Sequence, residues 1–187
     1  NPGMPMDLEG GNAPRRKAAV LIPFVDRPGG TNILLTRRTE HLKHHSGQVA
    51  FPGGRIERED ASPVHAALRE THEEVGIDPG RVDVLGELSL YRTRTGFDVT
   101  PVVGWVDPPV TFRPDPQEVA EVFEMPVSFL LDPAHHERRS RIFQGVERYF
   151  YVLPYRDYYI WGATAAMLVN LAEHINTALS DRKTVAL

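Results

Sequence analysis

The stretch GRIEREDASPVHAALRETHEEVGI, residues 54–77, decides how this chain folds and what chemistry it is built for. Ser62 is a favourable N-cap, and Pro63 suits the first position of a helix because its missing N–H needs no partner there. Gly76 suits the left-handed residue at which helices often stop. The sequence therefore predicts a helix over residues 63–75.

One side of this helix carries three carboxylates. At roughly 100° per residue, Glu70, Glu73 and Glu74 fall within one arc, about 100° wide. A different arc carries the expected buried residues Val64, Leu68, Thr71 and Val75. Carboxylates three and four residues apart repel each other, and a hard divalent cation removes that repulsion. The helix thus predicts a Mg²⁺ site, with Mn²⁺ as an alternative metal, although a solvated acidic face explains an isolated cluster equally well.

The spacing around this helix resembles the Nudix box, the signature of hydrolases that cleave a diphosphate linked to another group. Gly54, five residues, the acid Asp60 and then Arg-Glu-x-x-Glu-Glu-x-Gly-Ile reproduce it. Asp60 is followed by eight residues where the usual spacing has seven, which changes the loop that enters the helix. Thr71 stands where a bulky aliphatic residue is usual. Neither departure removes a carboxylate from the predicted metal site.

Composition favours a single globular domain. Of 187 residues, 41% are hydrophobic and 25% charged, and the net charge of −4 gives no electrostatic case for nucleic acid or an anionic membrane. The chain has no cysteine, which excludes disulfides and thiolate chemistry and is compatible with the cytoplasm. No apolar run approaches about 20 residues, so no membrane span is expected. We expect a flexible tail over residues 1–16 and one Nudix domain over residues 17–187; the oligomeric state is left open.

Apolar runs separated by turn residues predict strands mixed with two main helices. Strands are expected at 18–25, 33–36, 48–51, 81–92, 99–106 and 121–124, with a strand pair within 148–160. Besides the carboxylate helix, a short helix is expected at 127–131 and a long one at 164–179. This order fits an α/β fold, the α/β/α sandwich with a mixed central sheet that the Nudix resemblance implies.

The segment just before the box is similar to the motif of the coenzyme A pyrophosphatase branch of the Nudix family. That motif is Leu-Leu-Thr-x-Arg, a small residue, three residues, Arg, three residues, Gly, three residues and Phe-Pro-Gly-Gly. Residues 34–54 meet every spacing, with Thr39 at the small position and Lys43 in place of the second arginine. Lysine keeps the charge but loses the two-pronged contact that a guanidinium makes with phosphate.

Four residues of this segment are predicted to bind substrate: Arg37, Arg38, Gly53 and Gly54. The arginines concentrate positive charge on an otherwise acidic protein, and the glycines let the backbone approach a diphosphate. Coenzyme A suits such a site because it carries a diphosphate and a further phosphate on the ribose. The alternative for the two arginines is an ordinary solvated surface.

The resemblance implies metal-dependent hydrolysis of coenzyme A to 3′,5′-ADP and 4′-phosphopantetheine. Glu70 and Glu74 are expected to hold the metal, with Glu73 as a further ligand or as a partner that Arg69 orients by an ion pair. Glu118 resembles a loop glutamate that serves as general base in several Nudix enzymes, and Glu73 or Glu74 is the alternative base. Two other functions stay open. One is a Nudix hydrolase of another nucleoside diphosphate derivative, such as ADP-ribose or NADH. The other is a non-catalytic nucleotide-binding regulator.

Overall fold

The computed structural model describes residues 14–40 and 47–185, with side chains as far as residue 182. Residues 1–13 of the predicted tail and Lys43 of the upstream motif lie outside the described residues. The strands of the central sheet are β1 (Arg16–Arg27), β2 (Gly30–Arg38), β3 (Val49–Ala50), β4 (Gly53–Arg55), β5 (Val82–Glu87), β6 (Tyr91–Arg92), β7 (Phe97–Val106) and β8 (Val119–Pro126). A second sheet comprises β9 (Glu137–Phe143), β10 (Val146–Tyr155) and β11 (Tyr158–Trp161), and the helices are α1 (Pro63–Val75), α2 (Val127–Leu131) and α3 (Gly162–Val185).

The central sheet is mixed. β1 and β7 run parallel from Arg16 opposite Phe97 to Val25 opposite Val106, whereas the other strand pairs in this sheet are antiparallel. β4 pairs with the first half of β1, so Gly53 and Gly54 lie beside a strand that is distant from them in the sequence. This arrangement confirms the predicted α/β fold with a mixed sheet.

Helices pack on both faces of the central sheet, because side chains alternate between the faces of β1. Leu21 faces α1 and is buried with Ala66 and Ala67 of that helix. Ile22 faces the opposite side and is buried with Leu168 of α3 and Leu153 of the second sheet. The carboxylate helix therefore covers one face of the sheet together with Val110 and Phe112 of the segment after β7, and α2, α3 and the second sheet cover the other.

The predicted bounds of α1 are confirmed. The Ser62 hydroxyl accepts a hydrogen bond of 3.1 Å from the backbone N–H of His65, Pro63 is the first helical residue, and Gly76 closes the helix with φ = 75°. Val64 and Leu68 of the predicted buried face are only partly buried, and Ala66 and Ala67 form the centre of the contact instead.

Several elements differ from the sequence prediction, and one of them, β4, was not predicted. The single strand expected at 81–92 is divided into β5 and β6, because the pairing with β7 is interrupted between Glu87, opposite Val102, and Tyr91, opposite Val99. β9 was not predicted, since its sequence ERRSRIF lacks the alternation of a half-buried strand. α3 extends at both ends beyond 164–179. Among the described residues, no helix is both long and apolar enough to cross a membrane.

Candidate active site

Glu74 is a buried carboxylate at the centre of the site. Only 4% of its side chain is exposed, because α1 presses it against β4 and the end of β2. Its Oε2 accepts a hydrogen bond of 3.2 Å from the backbone N–H of Gly53, and its Oε1 accepts one of 3.3 Å from Nη1 of Arg38. Burial raises the pKa of Glu74 to about 7, against the lowering effects of Arg38 and Gly53, and the charges of Glu118 and Glu70 raise it further. A cation beside this group would favour its ionised form.

Glu70 lies directly against Gly54. A Cβ atom on Gly54 would come within 2.5 Å of the Glu70 carboxylate, so any residue other than glycine would displace this carboxylate. Burial raises the pKa of Glu70; Arg69 opposes the rise with a hydrogen bond of 3.0 Å, and the charges of Glu73 and Glu118 reinforce it. Gly54 therefore determines where one of the predicted metal ligands can lie.

Gly53 is required for a different reason. Its φ of 153° lies where side chains are strained, and a Cβ atom there would lie 2.5 Å from the backbone carbonyl oxygen of Ala19. The glycine lets β4 approach β1 closely and aims its own N–H at Glu74. The two glycines of the motif thus shape the carboxylate site, and their contact with a diphosphate stays a prediction.

Arg69 links the loop before α1 to the carboxylates on it. Its Nε and Nη2 donate to the two oxygens of Asp60 at 3.0 and 2.9 Å. Its Nη1 donates to Glu70 at 3.0 Å and to Glu73 at 3.1 Å, so the expected ion pair between Arg69 and Glu73 is present. The Asp60 side chain is only 1% exposed, and the Arg69 guanidinium holds the pKa of its carboxyl well below the usual range. Asp60 thus holds the Arg69 guanidinium in position. This contact is present although eight residues, one more than usual, separate Asp60 from Arg69.

The loop that bears Glu118 is fastened to the end of α1. The backbone N–H of Asp115 donates to the carbonyl oxygen of Glu74 at 2.9 Å. Thr39 donates its N–H to the carbonyl oxygen of Glu118 at 3.0 Å, and its hydroxyl donates to the preceding carbonyl at the same distance. Nη2 of Arg38 lies 3.6 Å from the Glu118 carboxylate, 47% of whose side chain is exposed. Sequence reasoning gave Thr39 no role, because its value depends on a loop 78 residues away.

The structure separates some residues that the sequence grouped. Arg37 forms an ion pair of 3.0 Å with Glu121, whereas Arg38 faces Glu74. Successive strand residues point to opposite faces, and the pairing of β2 with β8 also shifts between these two arginines. Glu73 is 57% exposed. Within the described part of the chain, no three His, Asp or Glu side chains are gathered as a ready metal cluster, so the metal roles of the three glutamates stay a prediction.

Comparisons with known proteins agree with this architecture. The model of the NUDIX domain matches residues 15–146. The protein named uncharacterized Nudix hydrolase NudL from Enterobacter sp. (strain 638) is 45% identical over 163 residues, which cover 86% of this chain and 83% of the relative.

Two solved structures share the fold. The MutT protein from Methanosarcina mazei Go1 superimposes with a TM-score of 0.55 at 18% identity, covering 88% of this chain and 97% of the other. The Nudix hydrolase RenU from M. smegmatis gives a TM-score of 0.53 at 25% identity, covering 62% and 73%. With its carboxylate helix, its arginine anchor and these relatives, the chain belongs to the Nudix family, the hydrolases of nucleoside diphosphate derivatives.

Proposed function

We propose that this Nudix hydrolase cleaves the diphosphate of coenzyme A with water and releases 3′,5′-ADP and 4′-phosphopantetheine. The observation that carries the proposal is the match of residues 34–54 to every spacing of the coenzyme A pyrophosphatase motif. Arg38 of that motif donates to Glu74 of the Nudix helix and lies near Glu118. The segment that suggests the substrate is thus joined physically to the segment that suggests the reaction.

The carboxylates of α1 suit a hard divalent cation. Glu70, Glu73 and Glu74 would hold Mg²⁺, or Mn²⁺ in its place, since both metals favour carboxylate oxygen. Two features of the structure support this fit. Burial is the main cause that raises the pKa values of Glu70 and Glu74. Gly54 has no side chain that would displace the Glu70 carboxylate. When bound, such a cation neutralises phosphate oxygens and lowers the pKa of water.

The substrate contacts are proposed at Arg37, Arg38, Gly53 and Gly54. Arg38 is 23% exposed, so it holds Glu74 and still presents part of its charge to the site. Arg37 is 49% exposed, and its ion pair with Glu121 is a surface pair that a phosphate can replace at little cost. Glu70 and β1 occupy the space of the missing side chains at these glycines, but both residues are only partly buried, so part of the β4 backbone can still meet a diphosphate.

Glu118 is the general base that the geometry favours. A general base needs access to water and an oxygen free to accept a proton. Glu118 is about half exposed and its nearest cation is 3.6 Å away, while the backbone bond from Thr39 fixes its place. The rival bases are less suited, since Glu73 is engaged by Arg69 and Glu74 is buried between two donors.

Initial rates with Mg²⁺ on coenzyme A, ADP-ribose and NADH test the substrate. Highest kcat/KM on coenzyme A or its thioesters supports the proposal, and no preference for them contradicts it. The alternative of a non-catalytic nucleotide-binding regulator predicts binding without turnover of any of these compounds. The intact Arg69, Glu70, Glu73 and Glu74 favour an enzyme over that alternative.

A further inference from the structure

Two exposed arginines lie against one aromatic ring beside the candidate active site. The guanidinium carbon of Arg16 is 4.0 Å from the centre of the Phe97 ring, and that of Arg55 is 5.9 Å from it. Arg16 is paired with Phe97 across β1 and β7, and Arg55 is paired with Ala18 across β1 and β4. Since Arg16 and Ala18 are two residues apart on β1, the two arginines share one face of the sheet.

The charges of these arginines are not neutralised by the described part of the chain. Neighbouring Arg15 and Arg92 both lie against Asp98, at 2.5 and 3.8 Å. Neither Arg16 nor Arg55 has a carboxylate at ion-pair distance among the described residues; Arg16 donates only to the backbone carbonyl of Thr95, at 3.3 Å. Both side chains are exposed, on a chain whose net charge is −4.

Their position connects them to the carboxylate site. Arg55 directly follows Gly54, which lies against Glu70, and its carbonyl oxygen accepts a hydrogen bond of 3.2 Å from Arg69. Because side chains alternate along β4, the Arg55 side chain leaves the strand on the face opposite Glu70. The Arg55 backbone thus adjoins the carboxylate site, and a substrate that bound its diphosphate at this three-residue strand and extended around it would meet Arg55 and Arg16 on the other face.

We propose that Arg16 and Arg55 form a subsite for the 3′-phosphate of coenzyme A. This inference rests on the proposed function and extends it to a phosphate that the reaction does not consume. Guanidinium groups bind phosphate through paired N–H donors, and stacking on Phe97 restricts their orientation before the ligand arrives. The subsite thus discriminates coenzyme A from nucleoside diphosphate compounds that lack this phosphate.

The test compares kcat/KM for coenzyme A and for 3′-dephospho-coenzyme A. The wild-type protein is expected to prefer coenzyme A by about tenfold or more, the size of a charge-assisted phosphate contact. Arg16→Gln and Arg55→Gln bring this ratio towards 1, chiefly by raising KM for coenzyme A, and Arg55→Lys restores part of the preference. Arg138→Gln is the matched control, because Arg138 also stacks on an aromatic ring, Tyr149 at 4.4 Å, but in the second sheet.

The outcomes separate the subsite from the reaction. A wild-type ratio near 1, or an unchanged ratio in both glutamine variants, overturns the subsite while leaving hydrolysis of coenzyme A in place. Equal losses on both substrates also overturn it, and thermal unfolding of each variant identifies losses caused by misfolding. A wild-type protein that hydrolyses neither compound overturns the proposed function itself.

Discussion

The guanidinium of Arg38 donates to the carboxylate of Glu74 across 3.3 Å and joins two adjoining sequence motifs through residues 36 positions apart. A buried carboxylate without hydrogen-bond donors would destabilise the folded state. This contact and the N–H of Gly53 offset the loss of hydration at Glu74. The same guanidinium faces Glu118 at 3.6 Å. One arginine therefore sets the relative positions of a candidate metal ligand and the candidate base.

Glu74→Gln is expected to reduce kcat by about 100-fold to 1,000-fold, because it removes a proposed metal ligand, and a loss of this size corresponds to several kcal/mol in the barrier. The amide keeps the shape of the side chain and can still accept from Gly53, so the unfolding temperature should change little. Glu59→Gln is the matched control, since Glu59 is an exposed acid in the loop before α1. Steady-state rates that stay normal in Glu74→Gln would show the metal assignment to be wrong.

Alanine at the two adjacent glycines should have opposite consequences. In Gly54→Ala the new methyl group meets the Glu70 carboxylate, the mobile end of a side chain, so activity falls more than stability. In Gly53→Ala the methyl group meets the backbone of Ala19 at a strained φ, which should cost about 1–3 kcal/mol in the free energy of unfolding. Denaturant titration and kcat/KM measure both. A Gly54→Ala protein with full activity would contradict the placement of Glu70.

Asp60→Asn should lower the free energy of unfolding by about 2 kcal/mol at pH 7, because Asp60 accepts several hydrogen bonds to its charged form. The hydrogen bonds from Arg69 hold the pKa of Asp60 below its usual 3.8. Because its pKa is lower in the folded state, ionised Asp60 stabilises the fold at pH values above its pKa in the unfolded chain. This stabilisation is lost as the pH falls from that pKa through the pKa in the folded state. The difference between wild type and variant should therefore shrink as the pH drops below about 4.

Denaturant titrations of both proteins between pH 7 and pH 3 measure that difference. Asp78→Asn serves as a control, because Asp78 is an exposed acid that caps a single 3₁₀ turn after α1. A gap between wild type and Asp60→Asn that stays constant over this pH range would contradict the ion pair with Arg69.

Glu118→Gln and Glu73→Gln should differ in kind. Loss of a general base lowers kcat on the order of 100-fold or more and leaves the Mg²⁺ requirement unchanged, which we expect for Glu118→Gln. Loss of a ligand raises the Mg²⁺ concentration needed for the half-maximal rate, which we expect for Glu73→Gln. Rates over a Mg²⁺ titration distinguish the two, and the reverse pattern would exchange the roles of these residues.

Local chemistry made α1 predictable from sequence. Ser62, Pro63 and Gly76 act within one turn of the helix ends, so their effect does not depend on the rest of the fold. Helical spacing also placed the three glutamates on one arc. It did not predict that Glu74 is buried, because burial depends on β4 and β2, which approach α1 only in the folded chain.

The remaining differences also arise from long-range pairing. β9 forms because β10 pairs with its backbone along the whole strand, from Glu137 to Phe143. The polar sequence of β9 has no local pattern that predicts a strand. Arg37 and Arg38 are equivalent as charges in the sequence, but the strand sends them to different carboxylates. The Nudix motifs thus identified the residues of the candidate site, and the fold decides which of them are in contact.

Initial rates of the purified protein with Mg²⁺ on coenzyme A, ADP-ribose, NADH and dGTP test the proposed hydrolysis of coenzyme A most directly. We predict the highest kcat/KM on coenzyme A, with 3′,5′-ADP and 4′-phosphopantetheine released in equal amounts. Hydrolysis of ADP-ribose, NADH or dGTP at an equal or higher kcat/KM would contradict it.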